Sequence, residues 1–134
     1  MKLDGFKKFI HKGGSYIPKV CIRKNGQISF NAGAVNKFDL DIFKFVMIYI
    51  SEDKKRIAIK FTNNEKESGL CAIQKRPGSF AFSAISFLRM NDIPFDETIN
   101  FDFIWDQKEK IAFFRPLDDI DIIKNKQLYD KKGA

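Results

Sequence analysis

Short apolar runs separated by turn residues dominate the hydrophobic pattern, and most have the length of β-strands. Val20–Arg23 and Ile28–Phe30 are separated by Asn25-Gly26, a pair that tolerates positive φ and favours a tight turn. Phe45–Ser51 and Arg56–Thr62 flank a short charged segment in the same way. The pattern therefore predicts two hairpins in the first half of the chain.

One helical pattern lies between these hairpins. Ala34, Val35 and Phe38 recur at helical spacing, whereas the residues between them are polar. Asn31 stands where the N-cap of a helix over 32–38 is expected, because its side chain can accept a hydrogen bond from the first turn. The first half is therefore predicted to fold as two strands, a short helix and two further strands.

The second half of the chain repeats this order. Gly26–Ala32 aligns with Gly78–Ala84, and Phe45–Phe61 aligns with Ile99–Arg115. Turn, short strand, helix and hairpin follow one another in both halves. The predicted organisation is a repeat at about 19–62, a second at about 70–115, an N-terminal extension 1–18 and a C-terminal tail 116–134.

The alignment and the hydrophobic pattern also predict the roles of individual residues. Ile57 corresponds to Ile111, Ser83 is the expected N-cap of the second helix, and the alternation over Ile99–Trp105 predicts one continuous strand. A single repeat of about 40 residues buries too little surface to be stable alone, so each should cover the other's apolar face. The predicted fold class is mainly β with short helices. Both β-β-α-β-β repeats are expected to interleave within one domain, residues 1–134, as a compact barrel with pseudo-two-fold symmetry.

The charge of the chain is +7 and is unevenly distributed. Residues 1–68 hold 14 basic and 7 acidic side chains, whereas residues 69–134 hold 10 of each. A basic excess confined to one half predicts a face that binds a polyanion, and nucleic acid is the commonest such partner. A solvated lysine-rich surface is the alternative interpretation.

The composition and the motifs also bear on disulfides, metal sites, enzyme activity and membrane segments. Cys21 and Cys71 are too few for a disulfide framework, and with the single histidine, His11, they cannot form a four-ligand zinc site. Neither a phosphate-binding glycine loop nor a nucleophile motif is recognisable, so we expect no enzyme activity, no cofactor and no metal. No segment approaches the ~20 apolar residues of a membrane helix, and no signal peptide is recognisable. A cytoplasmic protein that does not contact membranes is the expectation.

The segment Ile22–Phe30 (IRKNGQISF), a helix ending near Phe38-Asp39-Leu40 and the hairpin Val46–Phe61 together resemble the AbrB/SpoVT/MazE-type swapped-hairpin domain. In that family a strand, a Gly-x-Ile turn, a short strand, a helix and a hairpin form one unit, and two units interleave their hairpins. The resemblance covers about 45 residues of the first repeat well and about 45 more, at 73–115, more weakly. Gln27 stands where the family usually has a basic residue.

The resemblance implies duplex DNA binding by a small transcription regulator. It places the contacts around the first turn and on the exposed side of the helix: Arg23, Lys24, Gln27 and Asn36, with Lys75, Arg76 and Arg89 in the second repeat. Charge alone adds Lys19 and Lys37. Most of these side chains would contact phosphates, whereas Arg23, Gln27 or Asn36 could read base edges.

Two other functions fit the same sequence. A protein-interaction module, antitoxin-like or adaptor-like, would explain the near-neutral second half and the missing basic residue at Gln27. A single-stranded nucleic-acid binder would use exposed aromatic residues such as Tyr49 or Phe103 as stacking platforms. The sequence is compatible both with a monomer that has internal pseudo-symmetry and with a homodimer.

Overall fold

The computed structural model describes Gly5, residues 17–76 and residues 79–116. Within these residues the chain is mainly β with short helices, which confirms the fold class at that level. No helix among them is long and apolar enough to cross a membrane. The elements are β1 (Val20–Ile22), β2 (Gln27–Asn31), α1 (Ala32–Phe38), a 3-10 helix (Leu40–Ile42), β3 (Phe45–Ile50), β4 (Ile57–Thr62), β5 (Cys71–Ala72), β6 (Gln74–Arg76), β7 (Ser79–Ser83), α2 (Ile85–Met90), β8 (Ile99–Phe101), β9 (Ile104–Asp106) and β10 (Ile111–Phe114).

The described strands form two antiparallel five-stranded sheets and not one closed barrel. Sheet A has the order β6-β7-β2-β1-β8, and sheet B has the order β5-β3-β4-β10-β9. Ile73 alone separates β5 in sheet B from β6 in sheet A, and Asp102-Phe103 separates β8 in sheet A from β9 in sheet B. At both places the chain passes directly from one sheet to the other.

The prediction of one continuous strand over Ile99–Trp105 was wrong, because the strand is divided at Asp102-Phe103. Its first part pairs with β1, where Phe101 lies opposite Val20. Its second part pairs with β10 in the other sheet. Side chains at alternate positions point inward both before and after the bend, so the alternation resembles that of a single strand. A change of sheet partner leaves no separate mark in the hydrophobic pattern.

The two halves pair with each other about an approximate two-fold axis. In the β2–β7 pair, Ser29 lies opposite Ala81, Phe30 opposite Phe80, and Ile28 opposite Phe82. In the alignment of the repeats, Phe80 is the equivalent of Ile28 and Phe82 is the equivalent of Phe30. The strand β2 therefore pairs in the antiparallel direction with β7, its equivalent in the second repeat. The pair Ser29 and Ala81 lies at the centre.

The expected alignment of the two hairpins is wrong by one residue. Ile50 pairs with Ile57 in the first hairpin, and Trp105 pairs with Ala112 in the second. The equivalent of Ile57 is therefore Ala112, not Ile111; both Ile57 and Ala112 are fully buried. A shift of one residue exchanges the two faces of a strand. The chance identity of Ile57-Ala58 with Ile111-Ala112 concealed this shift.

The tight turn predicted at Asn25-Gly26 is confirmed. The backbone N–H of Arg23 donates to the Gln27 carbonyl, and the N–H of Gly26 donates to the Arg23 carbonyl, both at 2.8 Å. Gly26 has a φ of 86°, a conformation that side chains disfavour. Its carbonyl accepts a 3.0 Å hydrogen bond from Ala84 N–H, so the first turn is held against the start of α2.

Asn31 is the N-cap of α1, as predicted. Its Oδ1 accepts hydrogen bonds from Ala34 N–H and from Lys19 N–H at 3.0 Å, and its Nδ2 donates to the Ile17 carbonyl at 2.8 Å. The corresponding prediction for Ser83 was wrong. The N-cap of α2 is Ala84, and no side chain caps that helix.

This difference gives a direct test of the cap. Replacing Asn31 by alanine is expected to lower the free energy of unfolding by about 1–2 kcal/mol, because the first turn of α1 loses its acceptor. The control Ser83→Ala should change it by less than about 0.5 kcal/mol. Urea denaturation of both variants measures the difference. Equal effects would show that the Asn31 side chain does not stabilise the helix.

Aromatic side chains join the two sheets and the two repeats in one core. The ring of Phe30 from sheet A lies 5.3 Å from that of Phe61 in sheet B and 5.4 Å from that of Phe103. Phe38 of α1 stacks on Trp105, with ring centroids 5.2 Å apart. Because the contacts of Phe103 and Trp105 link the first repeat to the second, neither repeat has a complete core of its own.

Candidate nucleic-acid interface

Sheet A has a core side and an opposite side that we call the polar face. On β2, Ile28 and Phe30 are fully buried in the core, so the residues that alternate with them point to the other side. The pairing register shows which residues of the neighbouring strands lie on the same side. The polar face comprises Lys19, Cys21, Arg23, Gln27, Ser29, Asn31, Gln74, Arg76, Ser79, Ala81, Ser83 and Asn100.

Two arginines occupy equivalent positions on this face. Cys21 lies opposite Ser29, and Gln74 lies opposite Ala81, so Cys21 and Gln74 correspond through the pseudo-two-fold axis. Arg23 and Arg76 each follow two residues later and lie at opposite ends of the face. Three strand spacings and four residues along β2 separate them, which places their Cα atoms about 20 Å apart.

Two glutamine side chains lie between these arginines. The Gln27 amide nitrogen donates to Gln74 Oε1 at 3.4 Å, and Gln27 Oε1 accepts from Asn25 Nδ2 at 3.2 Å. The Gln27–Gln74 contact passes across β7, which separates their strands. Gln74 was not among the predicted site residues. Its proximity to Arg76 was a signal, but its face follows from pairing with Ala81, which sequence alone did not reveal.

The centre of the polar face is closely packed. Ser29 is buried, and its Oγ accepts a 3.0 Å hydrogen bond from Arg23 Nε, which holds the guanidinium over the sheet. Burial raises the pKa of the neighbouring Cys21 thiol, and the hydrogen bond with Ser29 and the charge of Arg23 oppose this only in part. The thiol therefore stays protonated at neutral pH. The Ser29 bond uses one of the five donors of Arg23.

Two of the predicted basic residues have partners that compete with phosphate. Lys19 forms an ion pair with Asp102, so its positive charge is locally balanced. The Lys75 ammonium donates to the Asp41 carbonyl at 2.6 Å and lies 5.5 Å from the centroid of the Phe80 ring. Lys75 pairs with core-facing Phe80, so it points away from the polar face, in contrast to the adjacent Arg76.

Lys24 and Arg89 meet in a different place, a groove between the first turn and α2. This groove of about 760 Å³ is also lined by Asp92 and Asp96, which balance the two basic charges. The Arg89 guanidinium lies 6.0 Å from the centroid of the Phe95 ring. The groove is therefore electrically mixed and is a weaker site for a polyanion than the polar face.

The remaining predicted residues, Asn36 and Lys37, are exposed on α1. The Lys37 ammonium lies 5.7 Å from the centroid of its neighbour, the Phe38 ring. The structure thus brings Lys19, Arg23, Gln27 and Arg76 onto one face, whereas Lys75, the Lys24–Arg89 pair and the α1 residues lie elsewhere.

Comparisons with family models, with curated proteins and with solved structures found no match. Within residues 17–76 and 79–116, no group of three or more His, Cys, Asp or Glu side chains is arranged to hold a metal ion. The geometry and the charges of the polar face are therefore the features that bear on function.

Proposed function

We propose that this protein binds duplex DNA through the polar face, as a small transcription regulator, and that its fold is a swapped-hairpin arrangement of the AbrB type. Four strand pairings support the interleaved arrangement: β2–β7, β4–β10, β1–β8 and β3–β5. Each of these pairings joins one repeat to the other. This is the relation expected of two hairpin units that have exchanged strands.

The observation that carries the functional proposal is the symmetric pair Arg23 and Arg76, with the amides of Gln27 and Gln74 between them. Duplex DNA has local two-fold symmetry, and proteins that bind it commonly match that symmetry. Two arginines about 20 Å apart can contact the phosphate backbones on the two sides of a major groove about 12 Å wide. The glutamine amides are then placed to read base edges, since glutamine is a bidentate partner for adenine.

Binding of this kind weakens with salt by an amount that follows from the number of phosphates contacted. Two contacts, from Arg23 and Arg76, give a slope of about −1.8 in log affinity against log salt. A fourfold increase in salt should then weaken binding by about 12-fold.

Fluorescence anisotropy with a labelled random duplex, and with one of its strands alone, tests the proposal across about 50 to 200 mM salt. We expect tighter binding of the duplex, with the salt dependence given above. No binding to duplex at about 50 mM salt, or affinity that does not change with salt, would refute the proposal.

A single-stranded ligand is less well supported. Phe103, one of its two expected stacking residues, is half-buried and contacts the rings of Phe30 and Phe38, so it is not available to a base. Tyr49 is exposed, but it lies on sheet B, opposite the polar face. Preferential binding of the single strand in the anisotropy experiment would nevertheless favour a single-stranded ligand over duplex DNA.

A protein-interaction function is favoured by one specific observation. The outer side of sheet B exposes large apolar residues, Tyr49 and Ile104, that the DNA-binding proposal does not use. Exposed apolar surface of this kind commonly marks a protein interface. It is compatible with DNA binding, because sheet A and sheet B present separate surfaces.

A further inference from the structure

The outer side of sheet B carries a straight row of apolar side chains. Tyr49, Ala58, Phe113 and Ile104 lie directly opposite one another on β3, β4, β10 and β9, in that order. Tyr49 is 48% exposed and Ile104 is 73% exposed. We call this surface the apolar face. The row spans three strand spacings, or about 14 Å.

Shallow grooves run along both halves of this row. One groove, of about 240 Å³, is lined by Tyr49 and Ala58, and a larger one, of about 660 Å³, is lined by Ile104. Both are also lined by Phe113 and by Arg56. The apolar face therefore has two depressions, one on each half of the row, and Phe113 contributes to both.

The pseudo-two-fold axis of the molecule passes through the middle of the row. Ala58 and Phe113 pair with each other at the centre, and Tyr49 and Ile104 are the equivalent residues at the ends. Ala58 is the one small side chain among the four. A surface that meets the same row in reverse order would place Phe113 against alanine, and Tyr49 against isoleucine.

We propose that the apolar face is a self-association surface on which a second copy of this chain packs sheet to sheet, with the row reversed. Phe113 of one copy then lies over Ala58 of the other, and Tyr49 of one lies over Ile104 of the other. A two-fold axis parallel to the strands generates this arrangement, and sheets packed in this way are about 10 Å apart.

The charges around the face favour an identical partner over a polyanion. Lys60 and Asp106 lie in the neighbouring row of the same face, and the charged residues Arg56, Arg115 and Asp102 line the larger groove. A margin that carries both signs is self-complementary, whereas a nucleic-acid surface carries a clear excess of positive charge. The apolar row between them supplies the surface that association removes from water.

The size of the face indicates a weak dimer. Four strands and about five residues of each give a patch that buries on the order of 500 Å² of accessible surface per copy. The total of about 1,000 Å² lies at the lower limit for a specific interface, so a dimer that dissociates on dilution is expected. Because each chain carries a charge of +7, added salt should strengthen this association by reducing repulsion.

Analytical ultracentrifugation of the full chain without DNA tests the proposal, at protein concentrations of about 10–500 µM and at low and high salt. The wild-type chain should show a monomer–dimer equilibrium. Ile104→Lys and Tyr49→Lys, at the two ends of the row, should each weaken dimerisation at least tenfold by placing a charge in the interface. Both positions are exposed, so folding, checked by circular dichroism, should be preserved.

Met90→Lys is the matched control. Met90 is 79% exposed at the end of α2, outside sheet B, so this variant should dimerise like the wild type. A wild-type chain that stays monomeric to about 500 µM would overturn the proposal. So would a dimer that Ile104→Lys and Met90→Lys affect equally. Neither result depends on DNA, so the two proposals stand or fall separately.

Discussion

Replacing Gly26 by alanine is expected to lower the free energy of unfolding by about 2–4 kcal/mol. A Cβ atom at this position would lie 2.3 Å from Cγ1 and 3.3 Å from Cβ of Ile85. The backbone also has a φ of +86°, which disfavours any residue with a side chain. The contact joins the first turn of one repeat to α2 of the other, so the strain falls on the junction between the repeats.

Gly69→Ala separates the two contributions to this loss. Gly69 has a similar φ of +77°, but a Cβ atom there meets nothing within 4 Å. Its replacement should therefore cost only the conformational part, about 1–2 kcal/mol. Chemical denaturation of both variants measures the difference, and the excess at Gly26 reports the crowding against Ile85.

Ile85→Ala provides the second control for Gly26. Truncation removes the Ile85 Cγ1 atom that the new Cβ would meet, so the double variant should be more stable than the sum of the single effects by about 1–2 kcal/mol. If the effects are simply additive, or if Gly26→Ala costs no more than Gly69→Ala, the close approach of the first turn to α2 is not formed in solution.

Local features of the fold could be predicted from the sequence, because their causes lie within a few residues. The Asn25-Gly26 turn and the Asn31 cap depend on backbone preferences and on a side chain three residues from its partner. The division of Ile99–Trp105 could not be predicted in this way. It arises because Phe101 pairs with Val20, and Trp105 with Ala112, in different sheets.

The sequence also predicts only some of the individual residues of the candidate site. Arg23 and Gln27 flank a recognisable turn, so the sequence pointed to both of them. Lys75 and Arg76 are adjacent residues of equal charge, and the sequence does not distinguish them. Pairing with Phe80 turns Lys75 to the core side, and pairing with Ser79 turns Arg76 to the polar face. Such an assignment needs the register between strands, which depends on contacts distant in sequence.

The combined reversal Arg23→Glu with Arg76→Glu is expected to weaken duplex binding by about 200-fold at about 50 mM salt, on the basis of the proposed DNA-binding function. Each lost phosphate contact removes a counterion-release contribution of about fifteen-fold at that salt concentration. The slope of log affinity against log salt should also become shallower by about 2. Anisotropy titrations at several salt concentrations measure both quantities, and urea denaturation shows whether loss of the Arg23–Ser29 hydrogen bond affects folding.

A general loss of positive charge would also weaken binding, so the controls must keep the same change in net charge. Lys66 and Lys108 are exposed in the connection between the repeats and in the β9–β10 turn, outside the polar face. Their combined reversal should weaken binding far less, because charges distant from the phosphates act only through a screened field. Equal losses in the two double variants would show that net charge, and not the polar face, governs binding.

The adjacent pair Lys75 and Arg76 gives the finest test of the interface. Arg76→Gln and Lys75→Gln remove the same charge one residue apart, but only Arg76 lies on the polar face. Arg76→Gln should weaken duplex binding by about fifteen-fold at about 50 mM salt, whereas Lys75→Gln should leave it nearly unchanged. Lys75→Gln should instead affect stability, because the ammonium no longer donates to the Asp41 carbonyl. If the two residues exchange these effects, DNA contacts the opposite side of β6 and the proposed interface is wrong.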